Sequence, residues 1–384
     1  MIRLILLTDF TEAFAHNLLR GILEYSKGRE PWVVCRMPPS YKQTNGISGV
    51  LEWAKKWEAD AIIGQFDDED EVELFRQNGI IALAQDFKSR FTSIPNITSR
   101  YELTGQMAAD FFLQKGFRNF AFYGYKDVVW SEERCMGFRE RIMEKRAGYK
   151  FFEYQKQSLE HLWYYESEPL ADWLKALPHP LALMACDDTQ GNKIIEMCRV
   201  LDIKIPEGIS LLGVDNDEII CGLSNPPLSS ISLNIVKGGY EAAQLIDRLL
   251  HDEDAVEKDV IIQPIAVVNR LSTDIYATDN PVILAALKYI HQNLANKIGV
   301  DDIVRQLPLS RRLLEIRFKE VTGQSVYQYI FNLRMERFAQ LLLASSESIA
   351  DLAAQVGLSD SKNLARQFKE WRGCTPVEYR KKNK

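Results

Sequence analysis

Two sets of side chains toward the carboxyl end have the chemistry that reads nucleic acid: Arg311, Arg312, Glu315 and Arg317 in one, Ser361, Lys362, Asn363 and Arg366 in the other. A guanidinium grips guanine through two acceptors, an Asn amide matches adenine, and Lys or Arg also neutralises phosphate. Both sets sit in the same frame. Leu309-Ser310 through Phe318-Lys319-Glu320, Thr322-Gly323 and Tyr329 is followed by Leu358-Ser359 through Phe368-Lys369-Glu370, Arg372-Gly373 and Tyr379. The offset is 49 residues at the Leu-Ser pair and 50 from the phenylalanine onward. One amphipathic helix with solvated charges has the same composition; its repetition at a near-constant offset points to a duplicated reading head.

Each set needs a helix to carry it and a corner to aim it. A short helix (residues 301–306, then 349–356) is followed by a break at Pro308 or Gly357 and by a second amphipathic helix. Proline cannot extend the first helix and glycine tolerates positive φ, so both suit a helix-turn-helix corner. Leu313, Leu314 and Phe318 form the inward stripe of one copy, Leu364 and Phe368 that of the other. Seven helices are expected from residue 281 on, at 281–296, 301–306, 310–321, 325–344, 348–356, 360–371 and 376–382. Asn280-Pro281 reads as an N-cap followed by proline in the first turn, and Thr375-Pro376-Val377-Glu378 as a capping box. The helix at 325–344 would set the two heads on successive major grooves.

The front of the chain has another grammar. Short apolar runs at 4–8, 33–36, 61–65, 80–84, 120–124, 151–154, 181–185 and 211–215 alternate with helical periodicity at 13–25, 101–115, 132–145, 189–200 and 237–251. That alternation predicts parallel sheet with crossover helices, in more units than one doubly wound sheet usually holds. Two lobes are expected, with a ligand between them at the carboxyl ends of the strands. By location, the candidates to meet it are Asp9, Asp67 and Asp86, which follow the first, third and fourth strands, and Trp130, ahead of a helix at 132–145. Ser272-Thr273-Asp274 and Thr278-Asp279-Asn280-Pro281 mark the change of text. An α/β two-lobed unit over residues 1–276 and an all-α unit over 280–384 are therefore expected.

Charge divides along the same line. The 384 residues carry 47 Lys+Arg against 53 Asp+Glu, net −6, but residues 281–384 hold 17 against 10 and residues 1–280 hold 30 against 43. The basic end can condense onto phosphate while the acidic end stays off it. The apolar run after Met1 is too short for a signal peptide, and no later run spans a membrane, so a cytoplasmic protein with no membrane partner is expected. Six cysteines without C-x-x-C spacing read as free thiols. No G-x-S-x-G, P-loop, G-x-G-x-x-G or H-E-x-x-H occurs and the five histidines are scattered, so no enzyme, cofactor or metal is expected. Asp67-Asp68 and Asp187-Asp188 are ordinary helix-opening carboxylates.

Ile349-Ala350-Asp351-Leu352-Ala353, Gly357-Leu358-Ser359, Phe368-Lys369 and Gly373-Cys374-Thr375-Pro376-Val377-Glu378-Tyr379-Arg380 resemble the DNA-binding domain of AraC-type transcriptional regulators over about one hundred residues. The resemblance implies that Arg312, Glu315 and Ile316 in the first recognition helix, and Ser361, Lys362, Asn363 and Arg366 in the second, are the readers. Ile316 is apolar where relatives often place a polar reader. It also implies double-stranded promoter DNA and RNA polymerase as partners.

The front half resembles the periplasmic-binding-protein fold of LacI/GalR repressors, on Glu133-Arg134-Cys135-Met136-Gly137-Phe138, Ala185-Cys186-Asp187-Asp188 and Leu211-Leu212-Gly213-Val214-Asp215-Asn216. The joined arrangement resembles regulators of xylose operons, on Phe120-Ala121-Phe122-Tyr123-Gly124, Gly213-Val214-Asp215-Asn216 and Arg270-Leu271-Ser272-Thr273-Asp274. Arg134 and Asp215 then fall on positions that hold sugar and Asp187 lies beside a third, with Cys186 where those proteins often place Asn. The implied function is a sugar-responsive regulator, foremost a D-xylose-sensing activator acting as a homodimer. Regulators of arabinose or a hexose, and a sugar-processing enzyme fused to a DNA module, are the alternatives.

Overall fold

The computed structural model describes residues 1–145, 148–156, 167–252, 256–275, 280–296, 298–344, 347–358 and 361–383. The first lobe is built on β1 (Ile2–Leu7), β2 (Trp32–Met37), β3 (Ala61–Gly64), β4 (Ile81–Gln85), β5 (Asn96–Ser99) and β11 (Val260–Ile262), ordered β11-β5-β4-β3-β1-β2 and parallel throughout. The second holds β6 (Asn119–Tyr125), β7 (Lys150–Lys156), β8 (Leu181–Ala185), β9 (Ile209–Val214), β10 (Ser229–Leu233) and β12 (Pro264–Val268), ordered β12-β10-β9-β8-β6-β7. Only β12 runs antiparallel to its neighbour. β3, β8 and β9 are buried at every position, which is why their sequences are continuous apolar runs: helices cover both faces.

The chain crosses between lobes three times: from β5 into α4 (Tyr101–Gln114), from β10 into α9 (Ile235–His251), and from β11 to β12. The crossings lie side by side. Arg100 N donates to Ile262 O at 3.1 Å and Asn234 N to Gln263 O at 2.9 Å. A bundle of three hydrogen-bonded strands is a hinge that lets two rigid lobes rock while their sheets stay intact.

Past the two lobes the described residues form seven helices: α10 (Pro281–Gln292), α11 (Val300–Val304), α12 (Arg311–Thr322), α13 (Val326–Ala344), α14 (Ile349–Gln355), α15 (Ser361–Arg372) and α16 (Pro376–Asn383). They make two small cores that share one helix. α13 gives Val326, Tyr329 and Ile330 to a cluster with Leu314 and Phe318, and Met335, Phe338 and Leu342 to a cluster with Leu364 and Phe368. The repeat survives in the packing. Phe318 meets Tyr329 edge-on at 5.3 Å, and Phe368 meets Tyr379 at 5.5 Å in the same T-shaped manner. The expected capping box is present, with Thr375 N donating to Glu378 Oε2 at 2.8 Å and Glu378 N to Thr375 Oγ1 at 3.3 Å. Gly357 has φ 74°, and a Cβ there would stand 3.1 Å from Arg334 Nε, so the second corner admits little else. The junction expected at 276–280 falls largely on residues outside the described set.

Candidate functional site

α5 (Val129–Lys145) follows β6 and delivers Arg134 to the carboxyl ends of the second lobe's strands. Arg134 is 3% exposed. Its Nη1 donates to Cys186 O at 2.5 Å and its Nη2 to Asp215 Oδ1 at 3.2 Å, while its Nε is buried without a partner. The guanidinium lies 5.1 Å from the Trp130 ring centre and 5.5 Å from that of Tyr101. Asp215, just beyond β9, is held at φ 95° with its N–H on Ile231 O, a positive φ that few non-glycine residues adopt. Burial holds its carboxyl above the usual carboxylate range, against the pull of the Arg134 guanidinium. Asp187 caps α7 (Asp188–Val200) by accepting from Gln190 N at 2.7 Å, and its other oxygen takes the Cys186 thiol at 3.4 Å. A buried guanidinium close to two aromatic rings, with a carboxylate beside it, is chemistry for paired hydroxyls next to an apolar face.

The first lobe's acids are committed differently. Asp9 accepts from Thr11 N at 2.8 Å and Thr11 Oγ1 at 2.7 Å, an Asx turn. Asp67 receives Lys42 Nζ at 2.8 Å, together with Asp70. Asp86 takes Thr98 Oγ1 at 2.6 Å and Arg90 Nε at 3.0 Å, and its Oδ1 is buried and unpartnered. The sequence reading missed three features. Glu12, the N-cap of α1 (Ala13–Ser26), has its carboxyl pushed up to about 8 by burial and then by Asp187 and Asp215 of the opposite lobe. Arg90 bridges the lobes through a two-pronged pair with Glu133, at 2.7 and 2.8 Å. Tyr101 is buried against Arg134. The only available signal was position: Glu12 stands beyond the end of β1 and Tyr101 beyond the end of β5, both facing the place where lobes meet. The cavity lined by Glu12, Asp188, Asp215 and Asp217 measures about 10 Å³, room for one water.

In the helical unit, Ser310 caps α12 by accepting from Leu313 N at 3.4 Å. Leu314 and Phe318 point inward while Arg311 and Arg312 are exposed, Arg317 is half-buried, and Ile316 is 47% exposed. Arg311 pairs with Asp301 at 2.9 Å. Glu315 is half-buried and accepts from Val326 N at 3.3 Å, so it serves the start of α13 as well as the helix face. On α15, Arg366 is exposed and Asn363 half-buried; the side chains of Ser361 and Lys362 lie outside the described residues. Both recognition helices end on a left-handed glycine, Gly323 and Gly373.

Two family models match: a periplasmic binding protein-like domain over residues 109–273 and a helix-turn-helix domain over residues 303–382. A xylose operon regulatory protein of Haemophilus influenzae is 31% identical, over 84% of this chain and 84% of its own. The chain belongs to the xylose operon regulatory proteins. The regulator of that name from Escherichia coli K12 is 28% identical over 99% of this chain and 97% of its own. A solved xylose-binding transcription activator superposes with TM-score 0.60 at 26% identity, covering 99% of this chain and 98% of that one. A LacI-family regulator from Enterococcus faecium with bound ribose has TM-score 0.59 at 17% identity, over 71% of this chain, a likeness of fold.

Membership in the xylose operon regulatory proteins accounts for both halves. The two-lobed unit has the periplasmic-binding-protein architecture, and the seven helices are the paired helix-turn-helix unit of AraC-type regulators. The family's members are transcription regulators. Among the described residues no helix is long and apolar enough to cross a membrane.

Proposed function

We propose that this chain is a D-xylose-responsive transcriptional activator. Residues 1–276 bind the sugar and residues 280–384 bind promoter DNA. The carrying observation is that relatives named for the xylose operon align with both halves at once. The Arg134–Asp215 pair, with Trp130 and Tyr101 beside the guanidinium, takes adjacent hydroxyls and one ring face. Asp187 has acceptor capacity left after capping α7. Asp9, Glu12 and Asp86 supply the first lobe's side, and Asp67 stands further along the same strand ends. Arg311, Arg312, Arg317, Lys362, Asn363 and Arg366 contact bases and phosphates, with Ser361 and Glu315 flanking them. The chain acts in the cytoplasm as a homodimer, one half-site per chain, and recruits RNA polymerase.

Sugar entry separates Glu12, which holds its proton near neutral pH, from Asp187 and Asp215 and puts hydroxyl contacts in its place. The test is a thermal-shift panel of pentoses and hexoses on the full chain. D-xylose is expected to raise the melting temperature in proportion to the logarithm of its concentration. Stabilisation by arabinose or a hexose alone reassigns the effector. Turnover of any sugar or sugar phosphate makes the front half an enzyme.

A further inference from the structure

We propose that the sugar signal leaves the sensor through a polar seam, residues 265–274, that ties the Asp215 loop to both helix-turn-helix copies by separate links. The inference rests on the sugar-binding role given above to Asp215. It names the route by which that site would regulate DNA binding.

The seam starts beside the site. Asn216, next to Asp215 and also at positive φ, accepts from Arg270 Nη2 at 2.8 Å. Arg270 Nη1 donates to Leu228 O at 2.8 Å, and its N–H to Ser229 Oγ at 2.7 Å. The next turn, Leu271–Thr273, is stitched into the second lobe. Ser272 Oγ donates to Leu211 O at 2.6 Å and accepts from Ser229 N at 2.8 Å, and the Thr273 and Ser229 hydroxyls are 2.7 Å apart. Lys115, at the end of α4, is buried and donates to Thr273 O at 2.7 Å. All of these groups are fixed by at least two contacts, so a shift of the Asp215 loop cannot be absorbed locally and moves the turn as a body.

Two links leave that body. Asp274 Oδ1 lies 3.6 Å from His291 Nδ1 on α10, and His291 Nε2 is 3.0 Å from the Tyr329 hydroxyl. Tyr329 packs edge-on against Phe318, which is on the first recognition helix. The second link is direct. Arg372, the last residue of the second recognition helix, donates from Nη2 to Ile265 O at 2.9 Å, and Ile265 lies on β12, the strand paired with β10 beside the Asp215 loop. Each reading head thus has its own tether to the sensor, one through a histidine and one through an arginine. A change in the sensor alters the angle between heads as well as their joint position.

The test uses the full chain and two single substitutions at solvent-accessible side chains, Asp274→Ala and Arg372→Met, neither of which is in the sugar site or among the proposed DNA readers. The probe is a duplex recovered by in vitro selection from a random pool. Xylose affinity is measured with and without duplex, and duplex affinity with and without xylose. The wild-type chain is expected to show the same coupling factor in both directions, roughly 5- to 150-fold. Each variant is expected to keep its xylose affinity without DNA within about twofold of wild type and to lose most of the coupling, with the residual factor near one when both substitutions are combined. Wild-type coupling in both single variants and in the double variant overturns the seam while leaving the sugar-binding reading intact. A wild-type chain that binds no xylose overturns both. Melting temperatures of the variants within a few degrees of wild type separate lost coupling from lost folding.

Discussion

Asp215→Asn separates the charge of the proposed sugar contact from its shape. The residue sits at φ 95°, where Asn is among the few non-glycine side chains that fit readily, so the backbone carries over. The amide oxygen can still receive Arg134 Nη2, now 3.2 Å from Asp215 Oδ1. What disappears is the negative charge. A hydrogen bond to a charged acceptor contributes about 1.5–3 kcal/mol and a neutral one about 0.5–1.5 kcal/mol. A carboxylate holding two hydroxyls therefore loses roughly 2–3 kcal/mol on becoming an amide, about 30- to 150-fold in Kd. Calorimetric titration with D-xylose reads this directly. Asp215→Ala adds a backbone cost of about 1–2 kcal/mol for a left-handed alanine. It should lower the melting temperature by several degrees beyond the Asn variant. Xylose binding to Asp215→Asn within twofold of wild type refutes the assignment. A melting temperature equally low in both variants refutes the backbone argument.

Arg366→Ala removes an exposed guanidinium from the second recognition helix. If it meets phosphate, the slope of log affinity against log salt falls by about 0.9 for every sequence; if it meets a base, preference at one position relaxes by about 1–3 kcal/mol. Filter-binding across a salt series distinguishes the two, and an unaltered affinity and slope remove Arg366 from the interface. Acid should loosen the helical unit through His291, whose pKa is pushed down to about 4 by burial and by Lys115, against the pull of Asp274. The unfolded imidazole titrates near 6.5 and the native one lower, so in that window the unfolded chain binds more protons. The stabilisation is fully present above pH 6.5 and drains away as pH falls toward about 4, by at most about 3 kcal/mol. Thermal melts at stepped pH should show the decline in wild type and a flatter profile in His291→Gln; identical profiles refute the buried neutral histidine.

What could be seen in the sequence was what local chemistry decides. The helical unit was legible because caps and apolar stripes act within four residues: all seven expected helices appear, and the Thr375–Glu378 box closes as its spacing requires. Eight of the twelve strands among the described residues were legible as apolar runs. β5 and β10 were not, because Asn96, Thr98, Ser99, Ser229 and Ser230 read as exposed polar residues and are in fact buried. Their partners lie far along the chain. Asn96 Nδ2 reaches Asp259 at 3.0 Å, Ser99 Oγ reaches Ile262 O at 3.0 Å, and Ser229 meets Ser272 and Thr273. Polarity foretells exposure only where no remote group satisfies it.

The same physics governs the site. A strand-end position says that a carboxylate is near the cleft, not how many of its lone pairs are already taken. Lys42 occupies Asp67, and Thr98 and Arg90 occupy one oxygen of Asp86. Residue type and location rank these acids equally with Asp215; the partners do not. Asp215 is distinguished by a guanidinium 81 residues earlier that lies close to two rings and keeps one nitrogen unpartnered, and by a backbone that only a few side chains accept. Glu12 carries the converse lesson. Beside its own helix it is an ordinary N-terminal acid; burial, and then the opposite lobe's Asp187 and Asp215, turn it into a proton-holding group. Its charge state is therefore tied to the separation of the lobes. Whatever parts them lets Glu12 ionise, so opening of the cleft should release protons at neutral pH.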